Sequence, residues 1–263
     1  MPLIRGRPAE AGYAHIVGPD DSDLIFIRFG LLSLPDAASF GLAYDGLETV
    51  LVILGGRCDV KAGGAIWEDI GERSNVFAGK PTAVYLPAGE SLVVTGRGEV
   101  EIAVCAAPAK GGAEPKLVTP EEVRVREVGQ GTFRREIYDI AVPETVCAER
   151  LLVGETYNLP GLWSSYPPHK HEAHSPPDET KLEELYHYRL KPSQGFGVQR
   201  IYGDGVEETH TVRDRDTVTI AKGFHPVAAA PGYHLYYLWV LAGERRALRP
   251  REDPAHSWVS RES

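Results

Sequence analysis

The sequence contains no apolar run long enough to span a membrane, and cysteine is scarce among its 263 residues. A membrane-spanning helix needs about 20 consecutive apolar residues, and the start, MPLIRGR, is not followed by the hydrophobic region of a signal peptide. The three cysteines, Cys58, Cys105 and Cys147, are odd in number and far apart, which argues against a disulfide framework and a cysteine zinc site. We therefore expect a cytoplasmic protein with buried, reduced thiols and no membrane partner.

Positive charge is also in short supply. Lys and Arg together number 28 against 37 Asp and Glu, which gives a net charge of −9. This balance argues against binding to nucleic acid, because phosphate backbones attract basic surfaces. An acidic small-molecule substrate would need local positive charge at its binding site.

Helical periodicity is missing as well. Short runs of β-branched and aromatic residues are separated by Gly, Pro and Asp, a pattern typical of a sandwich or barrel. The predicted strands are residues 24–29, 49–54, 83–86, 91–95, 100–105, 133–140, 151–157, 196–202, 217–220 and 234–241. Residues 106–120 (AAPAKGGAEPKLVTP) have the composition of a linker. The sequence thus predicts an all-β chain with a first barrel at 1–108, a linker at 109–120 and a second barrel at 121–263.

The two predicted barrels differ in their histidine content, although their similar patterns suggest an internal duplication. His15 is the only histidine before residue 169. The first barrel therefore has no imidazole cluster, and we expect it to be metal-free and to serve a structural or dimer-forming role. The chain is expected to form a homo-oligomer.

Histidines of the second half indicate a metal site. His169 and His171 are two residues apart, so on a strand both rings point to one face, about 6.5 to 7 Å apart. Glu184 begins a strand-like run, ELYHYRL, and His225 follows the alternating strand 217–220 and a glycine turn. Three imidazoles and a carboxylate would suit a divalent ion, with zinc, manganese, iron and nickel all possible. The alternative is that this spacing arises by chance among nine histidines.

Spacing alone does not fix the acidic ligand. Glu183 lies on the opposite side of the same predicted strand, and Glu172 and Glu179 lie in the preceding loop. If Glu184 faces the barrel interior, alternation places Tyr186 there too. The choice between the two neighbouring glutamates therefore depends on strand parity.

Three further residues are candidates for catalysis. Tyr186 and Tyr188 would share the inner face of the strand with Glu184, where a phenol beside a cation can act as an acid or base, or simply fill the barrel. The substrate carboxylate calls for an arginine, which can donate two parallel hydrogen bonds. Arg200 is the candidate, but if parity runs the other way Gln199 takes the inner face and Arg200 lies on the surface.

Four segments carry a resemblance to a known family: residues 163–171 (WSSYPPHKH), 182–188 (LEELYHY), 197–202 (GVQRIY) and 218–225 (VTIAKGFH). Together with residues 54–57 and 73–87 of the first half, they make the chain resemble the 5-deoxy-glucuronate isomerase family over nearly all its length. That family consists of bicupins of myo-inositol catabolism and is related to 5-keto-4-deoxyuronate isomerase.

The resemblance implies two cupin-type (jelly-roll) β-barrels in one chain and a metal bound by His169, His171, Glu184 and His225. It also implies an aldose–ketose isomerase that converts 5-deoxy-glucuronate to 5-dehydro-2-deoxy-gluconate. The family pattern Glu, aliphatic, Tyr, x, Tyr favours Glu184, although the segment before it is longer than in most cupins. Glu183 is then expected to face solvent or the outer packing of the barrel, where its substitution should cost little.

Two other functions fit parts of the pattern. A cupin dioxygenase could use the same three histidines and one glutamate around iron, but the Arg, Gln and Tyr residues favour a polar pocket. A non-catalytic bicupin of the storage or regulatory kind would lack an intact set of ligands, whereas this sequence has one.

Overall fold

The computed structural model describes residues 2–43 and 45–260, which are built from β-strands joined by turns and loops. These two ranges contain no α-helix, and no helix in them could cross a membrane. The first strands are β1 (Leu3–Ile4), β2 (Gly12–Val17), β3 (Arg28–Leu34), β4 (Ser39–Ala43), β5 (Leu47–Gly55), β6 (Cys58–Ala62), β7 (Ala65–Ile70), β8 (Ala83–Leu86), β9 (Ser91–Gly96), β10 (Val100–Pro108) and β11 (Lys116–Val118). The prediction of an all-β chain is confirmed.

The remaining strands form the second half of the fold. They are β12 (Arg124–Val128), β13 (Arg135–Ala141), β14 (Leu152–Asn158), β15 (Trp163–Ser164), β16 (His169–Lys170), β17 (Glu183–Lys191), β18 (Phe196–Gly203), β19 (Val206–Arg213), β20 (Thr217–Ile220), β21 (Val227–Ala229), β22 (His234–Ala242) and β23 (Arg251–Glu252). Short 3-10 helices cover Gly131–Phe133 and Ser257–Ser260.

Each half consists of a large antiparallel sheet and a four-stranded sheet. The large sheets have the orders β11-β8-β5-β10-β3-β2 and β1-β20-β17-β22-β14-β13-β12, and the small ones β4-β9-β6-β7 and β15-β21-β18-β19. Read from one edge, the two halves show the same connectivity, so that β5 corresponds to β17 and β8 to β20. Two barrel-like halves in one chain are therefore confirmed.

The halves exchange their first strands. β1 precedes the first half but pairs with β20 of the second, with Leu3 opposite Val218. β11 lies inside the predicted linker 109–120, yet it pairs with β8 of the first half, with Lys116 opposite Tyr85. The predicted linker thus contains a strand. The domain bounds stay a prediction, and their outermost residues, 1 and 263, lie outside the described ranges.

Three hydrophobic clusters form the core. One fills the first barrel with aliphatic side chains such as Leu51 and Ile53, and another fills the second barrel, where Tyr186 and Tyr188 contribute. The third contains residues of both large sheets, such as Val52 and Leu185, so those sheets pack against each other between the barrels. The second barrel thus differs from the first in carrying polar aromatic residues inside.

Two buried glutamates fasten the halves to each other. Glu183 at the start of β17 accepts hydrogen bonds from the backbone N–H groups of residues 25–27, at 2.6–2.7 Å. Glu48 at the start of β5 accepts from those of residues 149–151, at 2.7–2.8 Å. The predicted strand 24–29 therefore begins only at Arg28, because its first N–H groups bind Glu183 instead of a neighbouring strand. Glu183 does face out of the barrel, but it does not reach solvent, since its exposed fraction is 8%.

The cysteines fit the expectation only in part. Cys58 and Cys105 are buried free thiols, and burial raises the pKa of Cys58 to about 12. Cys147 is also unpaired but exposed, so the prediction of a buried thiol is wrong there.

Candidate metal centre

Strand β17 places Glu184 inside the second barrel. Its side chains alternate, because Tyr186 and Tyr188 belong to the interior cluster whereas Leu185 belongs to the cluster between the sheets. Glu184 has the parity of the tyrosines and is 4% exposed. The alternating run ELYHYRL therefore puts a carboxylate and two phenols on the same inner face.

His171, which directly follows the short strand β16, approaches Glu184. Its Nε2 lies 3.0 Å from Oε2 of Glu184, and its Nδ1 lies 2.8 Å from the carbonyl oxygen of Leu182. A carbonyl can only accept, so Nδ1 carries a proton. Nε2 is then the nitrogen whose lone pair could bind a cation placed between the ring and the carboxylate.

His225 reaches the same carboxylate oxygen from the loop after β20. Its Nε2 lies 3.2 Å from Oε2 of Glu184 but has no hydrogen-bond partner, although the residue is fully buried. Its Nδ1 lies 2.9 Å from the carbonyl oxygen of Gly223, which again leaves the lone pair on Nε2. A buried nitrogen without a partner is costly, and a bound cation would satisfy it.

The spacing of these three donors fits a single ion. His171, Glu184 and His225 are grouped because their ligand atoms all lie within 4.8 Å of one another, and all three residues are buried. Two ligands that each lie about 2.1 Å from an ion are about 3.0 Å apart at right angles and about 3.4 Å apart at the tetrahedral angle. The observed 3.0 and 3.2 Å separations fall in that interval. In residues 2–43 and 45–260, no second group of this kind occurs.

The charges of the site suit a cation. Burial would raise the pKa of Glu184, but the hydrogen bond with His171 and the nearby ring of His225 outweigh it and keep the carboxylate ionised. Burial, together with His225 and His171, lowers the pKa of His169 well below its usual range. Burial would lower the pKa of His171, but the hydrogen bond with Glu184 outweighs it and raises that pKa. The site therefore holds one anion, a neutral His169 and a His171 from which a bound cation would displace a proton.

His169 lies beside this group without belonging to its tight core. Its ring centroid is 4.8 Å from that of His225 and 6.4 Å from that of His171. Strand β16 holds it opposite Glu252 of β23. As a fourth ligand it stays a prediction, and the geometry places its ring next to the other two imidazoles.

The other acidic candidates are engaged elsewhere. Glu179 accepts hydrogen bonds from the backbone N–H groups of Glu172 and Ala173. Glu172 pairs with Lys170 and accepts from the N–H of Gly223. These two carboxylates therefore bind backbone N–H groups near His171 and His225 instead of entering the site, and Glu183 binds those of residues 25–27 in the other half.

The two tyrosines have different positions. Tyr186 lines the cavity beside the candidate metal ligands, and its hydroxyl lies 2.8 Å from that of Ser165, a residue held at a φ of 49°. Tyr188 lies behind it, does not line the cavity and donates to Gln199. Burial raises the pKa of both tyrosines well above the usual range, so both are neutral phenols.

Gln199, not Arg200, faces the barrel interior. Gln199 is fully buried, and its Nε2 donates to the carbonyl oxygen of His225 at 2.8 Å. Arg200 points to the outer surface, where it pairs with Glu207 at 3.0 Å and stacks on Tyr202. The prediction that Arg200 meets the substrate carboxylate is therefore wrong, because β18 has the opposite parity.

A cavity of about 460 Å³ opens onto the candidate metal ligands. Its walls include His169, His171, Glu184 and Tyr186, and also two residues that the sequence did not single out, Arg135 of β13 and Glu252 of β23. Both lie far from the histidine motif in the sequence. Only the pairing of β13 with β14 and of β23 with β16 brings them to the cavity.

Comparison with known proteins places these observations in a family. The sequence matches the KduI/IolB family over residues 3–259. A protein of Geobacillus thermodenitrificans called 5-deoxy-glucuronate isomerase is 40% identical over 255 residues, covering 96% of this chain and 93% of its own. Its namesake from Bacillus subtilis strain 168 is 36% identical, covering 93% and 92%.

Solved structures agree on the fold. An IolB-like protein from Salmonella typhimurium LT2 superposes with a TM-score of 0.93 at 36% identity, covering 98% of both chains. The oxalate decarboxylase of Lactobacillus farciminis has a TM-score of 0.69 at 11% identity, covering 93% of this chain and 85% of that one. At such low identity the second likeness concerns architecture alone, and the predicted bicupin fold is confirmed.

Proposed function

Since this chain belongs to the KduI/IolB family and is a sugar isomerase, we propose that it uses a divalent metal to convert 5-deoxy-glucuronate to 5-dehydro-2-deoxy-gluconate. The observation that carries the metal is the convergence of His171, Glu184 and His225, with the unpartnered Nε2 of His225 aimed at the shared carboxylate oxygen. The name of the relatives, 5-deoxy-glucuronate isomerase, indicates the substrate. A role in myo-inositol catabolism follows from that substrate.

The reaction moves a proton between neighbouring carbons. A base removes it from the hydroxyl-bearing carbon, an enediol forms, and the proton is delivered to the former aldehyde carbon. In the same direction, the former hydroxyl oxygen loses its proton and becomes the ketone oxygen, while the former aldehyde oxygen gains a proton and becomes a hydroxyl. A divalent ion held by His171, Glu184, His225 and the neighbouring His169 would supply positive charge beside the oxygen on which negative charge develops. Tyr186, a neutral phenol at the cavity wall, can hydrogen-bond to that oxygen.

Glu252 is our candidate for the base. Besides Glu184, which faces the imidazoles, it is the carboxylate on the cavity wall within the described ranges. It lies directly opposite His169 in the β16–β23 ladder, and residues opposite each other in antiparallel strands project from the same face. Its side chain therefore shares the face of the ladder that presents His169 to the cavity.

Replacing Glu252 by Gln should lower kcat by about 100-fold or more, the usual contribution of a general base. Metal content, measured by elemental analysis, should stay unchanged. Glu244→Gln, an exposed glutamate of the same C-terminal segment, serves as the control and should keep full activity. Loss of metal in Glu252→Gln would instead assign Glu252 a part in holding β16.

The function itself is tested by NMR. Metal-loaded protein is incubated with 5-deoxy-glucuronate under nitrogen, and we expect the aldehyde carbon signal to give way to a ketone signal. Chelation should abolish this conversion, and zinc, manganese, iron or nickel should restore it. If the reaction requires oxygen, the protein is a dioxygenase, and if no conversion occurs, it is a non-catalytic bicupin. Full turnover by protein shown to be metal-free would contradict the proposed metal dependence.

A further inference from the structure

We propose that Arg135 binds the carboxylate of the sugar-acid substrate, an inference that rests on the proposed function and identifies the specificity residue of the same cavity. Arg135 begins β13 and lines the cavity together with His169 and Glu184. The carboxylate and the aldehyde lie at opposite ends of the substrate. The cavity must therefore contain a positively charged side chain for the carboxylate, at a distance from the residues proposed to hold the metal.

The guanidinium of Arg135 is fixed in place by the backbone. Its Nη1 donates to the carbonyl oxygens of Phe133, at 3.1 Å, and Tyr166, at 2.9 Å. Gly129, at a φ of +77°, makes room for it, because a Cβ there would come within 2.8 Å of Nη1. The guanidinium group is thus held in position before any ligand binds, which reduces the entropy lost on binding.

The charge of Arg135 is buried without an acidic partner. Its residue is 9% exposed, and in residues 2–43 and 45–260 no carboxylate forms an ion pair with it. Two other buried arginines do have such partners, since Arg73 pairs with Glu155 at 2.6 Å and Arg189 with Glu101 at 2.7 Å. Because an uncompensated buried charge is costly, an anionic ligand is the expected complement.

The position of Arg135 is compatible with a sugar acid that spans the cavity. Arg135, His169 and Glu184 lie on the wall of the same cavity. The volume of about 460 Å³ lies within the range of small-molecule sites. Carbonyl chemistry at the imidazoles and carboxylate recognition at Arg135 can therefore occur on one ligand.

The test compares D-glucuronate with its methyl ester, which lacks the charge, by isothermal titration calorimetry. The metal-loaded wild-type protein should bind the acid about tenfold or more tightly than the ester, as expected for a charge-assisted hydrogen bond. In Arg135→Gln this preference should vanish while the ester binds as before. Arg135→Lys should retain part of it, and Arg200→Gln, which removes a surface guanidinium, should retain all of it.

Turnover adds a second measurement. For 5-deoxy-glucuronate we expect Arg135→Gln to raise KM by about tenfold or more with unchanged thermal unfolding. The proposal would be overturned if Arg135→Gln still bound the acid more tightly than the ester. It would also be overturned if wild-type protein lost this preference after chelation, because the metal would then be the group that binds the carboxylate. If Arg135→Gln does not fold, Arg135→Lys must still show reduced discrimination. A wild-type protein that prefers the acid but converts no substrate would refute the proposed function alone.

Discussion

Replacing Glu184 by Gln should remove most of the bound metal and nearly all turnover. The amide keeps the shape of the side chain but lacks the negative charge of the carboxylate, whose Oε2 faces Nε2 of His171 at 3.0 Å and Nε2 of His225 at 3.2 Å. Even residues that only orient metal ligands cost about 10- to 100-fold when changed, so we expect a loss beyond about 100-fold. Elemental analysis and the NMR assay measure the two effects separately.

A matched control exists in the other barrel. Thr49 is opposite Leu86 in β5 and β8, just as Glu184 is opposite Ile220 in β17 and β20. Thr49→Ser should leave metal content and turnover unchanged, since the interior around it is aliphatic. Wild-type metal content in Glu184→Gln would rule out the carboxylate as a ligand. Failure of the variant to fold would indicate a structural site, because the three cores do not include the ligands.

Replacing Glu183, the neighbour of Glu184, by Gln should leave the metal in place but destabilise the fold. Its carboxylate accepts three backbone N–H groups of the other half, and an amide would turn a donor toward at least one of them. We expect a loss of about 2–4 kcal/mol and a fall of about 5–10 °C in the thermal midpoint. Glu48→Gln should behave in the same way, because Glu48 makes the reciprocal contact.

The control for these variants is Glu207→Gln. Glu207 is a strand residue whose side chain is 66% exposed and pairs with the surface residue Arg200, so its loss should change stability by less than about 0.5 kcal/mol. Differential scanning calorimetry measures all three. If Glu183→Gln unfolds like wild type, the N–H groups of residues 25–27 must find other acceptors, and the original expectation of a small cost would stand.

The local part of the site was accessible from the sequence. The alternation of ELYHYRL gave the correct inner face of β17, because a strand that is buried on both sides still keeps its two-residue period. The His169/His171 spacing likewise placed two rings close together. The same reasoning failed at Arg200, because β18 offers Gln199 and Arg200 as polar neighbours and nothing in either residue type decides which one faces inward.

Long-range partners were not accessible. Arg135 and Glu252 meet the cavity only through strand pairing, and their neighbours in the sequence carry no motif. The sequence around Glu183 predicts a surface residue, since a glutamate at the start of a strand is usually solvated. The three N–H groups that it binds belong to residues 25–27, which were predicted to lie within a strand. The pairing of distant segments, not the local pattern, determines the function of these residues.

The exchange of β1 and β11 has an implication for the origin of the chain. Each of these strands covers the edge strand of the opposite half, and Glu48 and Glu183 make the same contact in both directions. Two separate copies of a half could make all of these contacts across a twofold axis, as a dimer with swapped arms. Fusion of two such genes would join the subunits without altering their interface. After such a fusion only one half would need to carry the histidines and Glu184, and in the other half the position equivalent to Glu184 holds Thr49.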